Sequence, residues 1–280
     1  MKLIIIIKGQ TNIKMDRKKY WNEEYKNYWM QVTADANESN SDKTKIKKIT
    51  SGDYKSIGEN VADKLFEEMS YQKEERLLDY GCGFGRFFDF FNNRASYYGI
   101  DISESMIDEC RKLHPNHKEK FKVAEGERCS FESGFFQKII CFGVFDACYQ
   151  EQALKEMLRM IDIGGEILVT GKNNYYLDDD DQAYIAEVAA RKKGHPNYFT
   201  DVEKMLQQIS SCVKVELQRY FIRRGDFGKN LYVTEMPERF YEYAFIIKKE
   251  KNIDADFEKF SDNFSDAWKE KNNAIGMSDM

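Results

Sequence analysis

Five residues, Arg76-Leu77-Leu78-Asp79-Tyr80, run straight into glycines at alternate positions, Gly81-Cys82-Gly83-Phe84-Gly85, and this junction narrows the architecture more than anything else in the sequence. The five read as a short buried strand, and the glycines let the backbone turn tightly with no Cβ between it and a ligand. Phe87, Phe90 and Phe91 then recur at helical spacing until Asn92-Asn93 breaks the pattern. A strand, a glycine turn and a helix in that order open a parallel α/β sheet. Taken alone, such a loop is equally an ordinary turn, so its meaning depends on the residues C-terminal to it.

Those residues alternate regularly between strand and helix patterns. Residues 97–100, 121–124, 138–144 and 166–170 read as four more strands, the last entered through Gly164-Gly165. Between them lie a helix capped by Ser103, with Met106, Cys110 and Leu113 on its apolar face, and one carrying Leu154, Met157, Leu158 and Ile161 at i, i+3, i+4 and i+7. Ahead of the loop, Ile57, Val61, Leu65 and Phe66 mark a helix that ends near Ser70. Later, Thr200-x-x-Glu203 is a capping-box pattern, and residues 213–222 and 241–247 read as two strands that close the sheet as a hairpin-like pair. The fold class is therefore α/β: a Rossmann-like, mostly parallel sheet of seven strands with helices on both faces.

Near the N-terminus Trp21, Tyr25 and Tyr28 share one helix stripe, with Tyr20 beside them, which predicts an N-terminal helical lid. Residues 33–55 are polar and read as a mobile loop. The chain thus divides into an N-terminal extension and lid (1–55), a main domain (56–250), and a C-terminal helix and tail (251–280) built on Phe257, Phe260 and Phe264, with the last dozen residues disordered. Met15 is an ordinary-looking start, so residues 1–14 need not be native.

Lys and Arg number 43 against 48 Asp and Glu, a net charge of -5, which gives no long-range pull toward polyanions. Neither a nucleic-acid polymer nor a membrane is expected as a partner, and nothing in the sequence sets the oligomeric state. The longest aliphatic run, Leu3 to Ile7, is too short for a bilayer span or a signal-peptide core, so a cytoplasmic location is expected. The six cysteines include no C-x-x-C pair and are expected as free thiols. Few prolines with abundant Lys, Ile, Asn and Phe suggest an AT-rich bacterial genome.

A nucleoside cofactor asks three things of such a sheet: a turn that admits it, an acid for its ribose hydroxyls and a slot for its base. Gly81, Gly83 and Gly85 supply the turn. Asp101 stands 20 residues after Gly81, at the end of the second strand, where a carboxylate can accept two ribose hydrogen bonds. Glu125 follows the third strand and is placed to accept from an adenine amino group. The spacing is G-x-G-x-G, with Arg86 where a dinucleotide fold needs its third glycine. Asp79, two residues before Gly81, is placed to meet the ammonium of an amino-acid moiety, which dinucleotides lack.

From Leu77 to Thr170, about a third of the chain, the sequence resembles the class I S-adenosylmethionine-dependent methyltransferases. Residues 77–85 resemble the family's first motif, and Tyr98-Gly99-Ile100-Asp101-Ile102-Ser103-Glu104-Ser105-Met106 its ribose-binding second. Ala124-Glu125-Gly126-Glu127-Arg128-Cys129-Ser130-Phe131 is similar to the adenine-side loop, and residues 154–169 to the helix, double glycine and fifth strand. The resemblance implies that the main domain is a methyltransferase domain with S-adenosyl-L-methionine as cofactor. It places Ile102 and Gly126 in the cofactor site beside Asp101 and Glu125, with Phe142 packed next to the cofactor. The sequence departs from the pattern at Glu125, usually aspartate, and at Gln137, where an acid often precedes the fourth strand. The fold does not specify an acceptor.

A sulfonium methyl is already activated, so catalysis consists mainly of in-line positioning and exclusion of water, with a general base optional. For a hydroxyl acceptor, His195 in Gly194-His195-Pro196-Asn197 is the first candidate base, against the reading of an ordinary loop histidine. Asp146 and Tyr149, just past the fourth strand, either face substrate or serve as helix cap and core residue. The aromatic N-terminal face either closes on the sulfonium charge or packs on the core. His114 and His117, around a proline turn, read as surface residues. Asp178 to Asp181 and Lys43, Lys45, Lys47 and Lys48 read as solvated charge runs, and no metal is expected. The predicted activity is methyl transfer to a small metabolite, in its narrowest form a nucleotide-linked or sugar precursor of a bacterial surface polysaccharide, including phosphoramidate decoration. The competing readings are a nicotinamide-dependent oxidoreductase and a non-catalytic binding protein that keeps the fold.

Overall fold

The computed structural model describes residues 17–25, 61–192, 194–252 and 256–263. Among the described residues nine strands run in chain order: β1 (Arg76–Tyr80), β2 (Ser96–Asp101), β3 (Phe121–Val123), β4 (Phe136–Cys141), β5 (Ile161–Lys172), β6 (Tyr198–Thr200), β7 (Val213–Phe221), β8 (Glu242–Lys249) and β9 (Ser261–Asn263). Seven form one sheet in the spatial order β3-β2-β1-β4-β5-β8-β7, and β6 pairs with β9 apart from it. Strands β1 to β5 are mutually parallel, while β8 lies antiparallel between β5 and β7. The strand order reverses between β1 and β4, which opens a crevice at their carboxyl ends.

Both faces of the sheet are buried, because successive strand residues point to opposite sides. Leu78, Ile139, Ile167 and Phe245 join one core with helix α4 (Gln150–Met160) and helix α6 (Val202–Ile209). Leu77, Ile140, Leu168 and Ile246 join the other with α1 (Val61–Glu67), α2 (Phe88–Phe91) and α3 (Glu104–Leu113). Two further α-helices are α5 (Asp181–Lys192) and the short α7 (Asp226–Lys229). Among the described residues, no helix is long and apolar enough to cross a membrane. All six cysteines are free.

Several local expectations give way to tertiary contacts. The Thr200-x-x-Glu203 pattern does not cap α6: Asp201 does, accepting from Lys204 N, while the buried Thr200 hydroxyl bonds Gln150 and Tyr243. Ser103 does cap α3, accepting from Met106 N at 3.3 Å, but the buried face is Met106, Ile107 and Cys110, and Leu113 is exposed. Gly164-Gly165 lies inside β5 at a register shift: Ile161 pairs with Phe136 before the glycines and Glu166 with Lys138 after them. The helical spacing of Phe257 and Phe260 yields no helix but irregular chain leading into β9. There the Glu151 carboxylate accepts from Phe260 N and Ser261 N, both at 2.7 Å, and Phe260 is buried, which outweighs a weak local pattern. His114 is half-buried rather than a surface group, its ring 4.0 Å from that of Phe88.

The acidic run is also not uniformly solvated. Asp178 and Asp179 pair with Arg239 and Arg223, but Asp180 is buried and accepts from Ala183 N and Arg224 N at the start of α5. The N-terminal aromatic helix exists as Arg17–Lys19 continued by a π-helical turn, Tyr20–Tyr25. Tyr28, Ile57, Phe264, the lysines at 43 to 48, the polar loop 33–55, the boundary at 55/56 and the tail beyond 263 lie outside the described residues.

Candidate functional site

At the end of β1 the chain passes through Gly81, Gly83 and Gly85, all with left-handed φ, 83°, 56° and 81°. Gly81 N and Cys82 N both donate to Ile100 O, which ties the loop to the end of β2. A Cβ on Gly81 would lie 2.5 Å from Val144 and one on Gly85 2.7 Å from Cys110 Sγ, whereas one on Gly83 would meet nothing within 4 Å. Gly81 and Gly85 therefore let the loop pack, and Gly83 presents its backbone to open space. That space is a cavity of about 290 Å³. Of the residues predicted to hold a cofactor, Gly81, Gly83, Asp101, Ile102, Gly126 and Phe142 line it.

Asp101 is fixed by its neighbours: one carboxylate oxygen accepts from Gly83 N at 2.9 Å and the other from Ser103 N at 2.8 Å. Burial pushes its carboxyl up, while those two amides and the Arg86 charge pull it down. Each oxygen retains acceptor capacity toward the cavity.

Asp79, Gly85 and Glu125 do not line the cavity. Asp79 sits behind the loop, on the face of the sheet it shares with Tyr97 of the adjacent strand, and accepts from the Tyr97 hydroxyl at 2.5 Å. Direct contact with a ligand ammonium is thus not the arrangement seen. Burial pushes the Asp79 carboxyl up to about 7, against the Tyr97 bond and the Arg86 charge. The folded protein holds a proton that the unfolded chain, with its ordinary carboxyl, releases near pH 4. The contribution of Asp79 to stability is therefore greatest below that pH and is lost as pH rises through about 7. Asp79→Asn is expected to flatten this descent, read as the change in unfolding midpoint between pH 4 and pH 8; an unchanged slope would clear Asp79 of the effect.

Glu125 is exposed, and on this loop it is Glu127 that lines the cavity, which the sequence reading missed. Glu127 accepts from Arg17 Nη1 at 2.6 Å and from Tyr149 N at 2.9 Å. Arg17 also donates to Ala147 O and lies 4.0 Å over the Tyr149 ring. Its partner is 110 residues away, so no local pattern announces the pair. Trp21 lines the cavity as well, and Asn22 bonds Ser103 Oγ and Ser105 Oγ, which fastens the N-terminal segment to the start of α3. Opposite, Tyr80 lines the cavity; its hydroxyl is buried beside Cys148, and its ring fills the place where a Gly126 side chain would be.

The predicted catalytic residues are drawn into other contacts. His195 Nδ1 is 3.0 Å from the Tyr20 hydroxyl, its ring stands edge-on to Trp21 at 5.1 Å, and it does not line the cavity. Asp146 caps no helix; it pairs with Lys172 Nζ at 3.1 Å. Tyr149 precedes α4 without a side-chain cap and is half-buried beneath Arg17 rather than in the core. Among the described residues, no cluster of His, Cys, Asp or Glu is arranged to hold a metal.

Two observations suit an adenosine with an amino-acid tail: a backbone cradle at Gly83 that a side chain would fill, and a fixed Asp101 carboxylate with spare acceptor capacity. Parts of the chain are similar to known proteins. Residues 78–169 match a family model described as a methyltransferase domain. Over 128 residues the chain is 28% identical to one uncharacterized protein of Methanocaldococcus jannaschii, covering 41% of this chain and 52% of that protein. It is 31% identical to a second from the same organism, covering 44% and 48%. The chain spans about half the length of these curated relatives. An S-adenosylmethionine-dependent methyltransferase from Mesorhizobium loti shares the fold, with a TM-score of 0.53 at 16% identity over 68% of this chain and 98% of that one.

Proposed function

We propose, from the match of residues 78–169 to a methyltransferase-domain family, that this protein is a class I S-adenosylmethionine-dependent methyltransferase and moves a methyl group from S-adenosylmethionine to a small-molecule acceptor. The observation that carries the proposal is the carboxylate of Asp101 held by the amide of Gly83 at the mouth of the glycine turn. When bound, the cofactor supplies a methyl group activated by a sulfonium. The chain's part is to hold and enclose. Asp101 would take the ribose hydroxyls, the loop around Gly126 the base, and Gly81 and Gly83 the amino-acid tail. Trp21 and Phe142 would keep water from the reacting centre, with the Arg17–Glu127 pair holding the N-terminal segment in place.

A dinucleotide suits the site less well. Arg86, at the position of the third glycine, donates to Phe142 O at 3.1 Å and places a bulky side chain where a dinucleotide loop needs none. A polysaccharide precursor remains one class of acceptor within the proposal, and no described lining residue argues for it over other small molecules. A cytoplasmic setting, without a membrane or nucleic-acid partner, belongs to the same proposal on the strength of the charge balance. Calorimetric titration with S-adenosylhomocysteine and with NADH tests it: the first is expected to bind and the second not, and the reverse would transfer the chain to the oxidoreductases.

A further inference from the structure

A second, smaller cavity of about 80 Å³ adjoins the first, and the two share Phe142 and Gly143. It lies at the carboxyl ends of β4 and β5, where antiparallel β8 brings its first residue beside the last of β5, Glu242 opposite Lys172. Asp146, Thr170, Lys172 and Glu242 line it with the rings of Phe227 and Tyr243. Most of the polar groups here are already engaged. Lys172 Nζ lies 3.1 Å from Asp146 and 2.9 Å from Glu187, and Glu187 in turn accepts from the Tyr241 hydroxyl and the Asn197 amide. The Thr170 hydroxyl accepts from Gly143 N at 2.8 Å. Glu242 is different: no hydrogen bond from a described residue reaches its carboxylate. With Lys172 set against Asp146, the ionised lining keeps one negative charge in excess, and it belongs to Glu242.

We infer that this second chamber is the acceptor subsite, that it takes a small primary amine, and that Glu242 is the group that holds the amine and removes its proton. The inference rests on the methyltransferase reading of the adjoining cavity. A carboxylate that no described residue hydrogen-bonds, in a half-enclosed chamber, is complementary to an ammonium and not to a phosphate or a second carboxylate. The bound ammonium first passes one proton to Glu242, which frees the nitrogen lone pair; that pair then forms the new N–CH3 bond while the S–CH3 bonding pair stays on sulfur, leaving a neutral thioether and a protonated secondary amine. Burial pushes the Glu242 carboxyl up to about 7, which suits a base working near neutrality. Lys172 from β5 and Arg224 from beyond β7 pull it down, while Asp146 from beyond β4 and Glu187 from α5 push it up.

The experiment uses the full chain saturated with S-adenosylhomocysteine, titrated with n-propylammonium chloride and with n-propanol by ligand-observed NMR. Propylammonium is expected to bind the wild type, with affinity rising as pH increases through about 7, and to bind Glu242→Gln at least tenfold more weakly with that pH dependence gone. Unaltered S-adenosylhomocysteine affinity in the variant reports that it is folded. Equal amine binding by the two proteins, or preference for the alcohol, overturns the inference while the methyltransferase reading stands. A wild type that fails to bind S-adenosylhomocysteine overturns both.

Discussion

Alanine at position 101 is expected to weaken S-adenosylhomocysteine binding about tenfold to a hundredfold, or ~1.5–3 kcal/mol, the usual worth of hydrogen bonds to a charged group. The size reflects two functions joined in one side chain. Asp101 is the carboxylate facing the cavity at the end of β2, and it also holds Gly83 N and Ser103 N, so its removal releases the glycine turn and the entry to α3 together. Asparagine keeps one oxygen acceptor and should fall between wild type and alanine. Calorimetry of all three proteins decides the matter, and equal affinities would remove Asp101 from the site.

A single methyl at Gly126 is expected to cost about 1–3 kcal/mol of stability and to damage cofactor binding as well. Its carbon would come within 2.1 Å of Tyr80 Cζ and hydroxyl oxygen. Tyr80 is 2% exposed, on a strand at the centre of the sheet, and cannot swing aside. Combining Gly126→Ala with Tyr80→Leu should therefore cost less than the sum of the two single changes, since the second removes the atoms that the first collides with. Urea denaturation of the four proteins measures this coupling; strict additivity would mean that the collision does not occur.

The parts of the fold that were legible in the sequence are those specified by short-range patterns. Apolar strands at 76–80 and 97–100, the glycine turn and the Ser103 cap all depend on neighbours within a few residues, and they appear close to where the spacing puts them. The pairing of the last two long strands was legible too, but not the insertion of β8 beside β5, because hydrogen-bonded order across a sheet leaves no local trace. Within the site the glycines and Asp101 were readable for the same reason. Glu127 was not: its burial depends on Arg17, which comes from a distant segment. The setting of Asp79 was equally hidden, because Tyr97, on the adjacent strand, competes for its carboxylate. Glu242 was invisible, since only the antiparallel register of β8 brings it against Lys172.

That register also governs how the molecule is made. β8 is the last of the seven sheet strands to be synthesised, yet it occupies an interior place, with β5 on one side and β7 on the other. While ribosomes add the residues between Lys172 and Glu242, the nascent chain carries β5 with one flank unpaired and Ile167, Leu168 and Val169 along it. An open apolar flank of that kind recruits strands from other molecules, so the interval before β8 emerges is when a chaperone matters most to this protein.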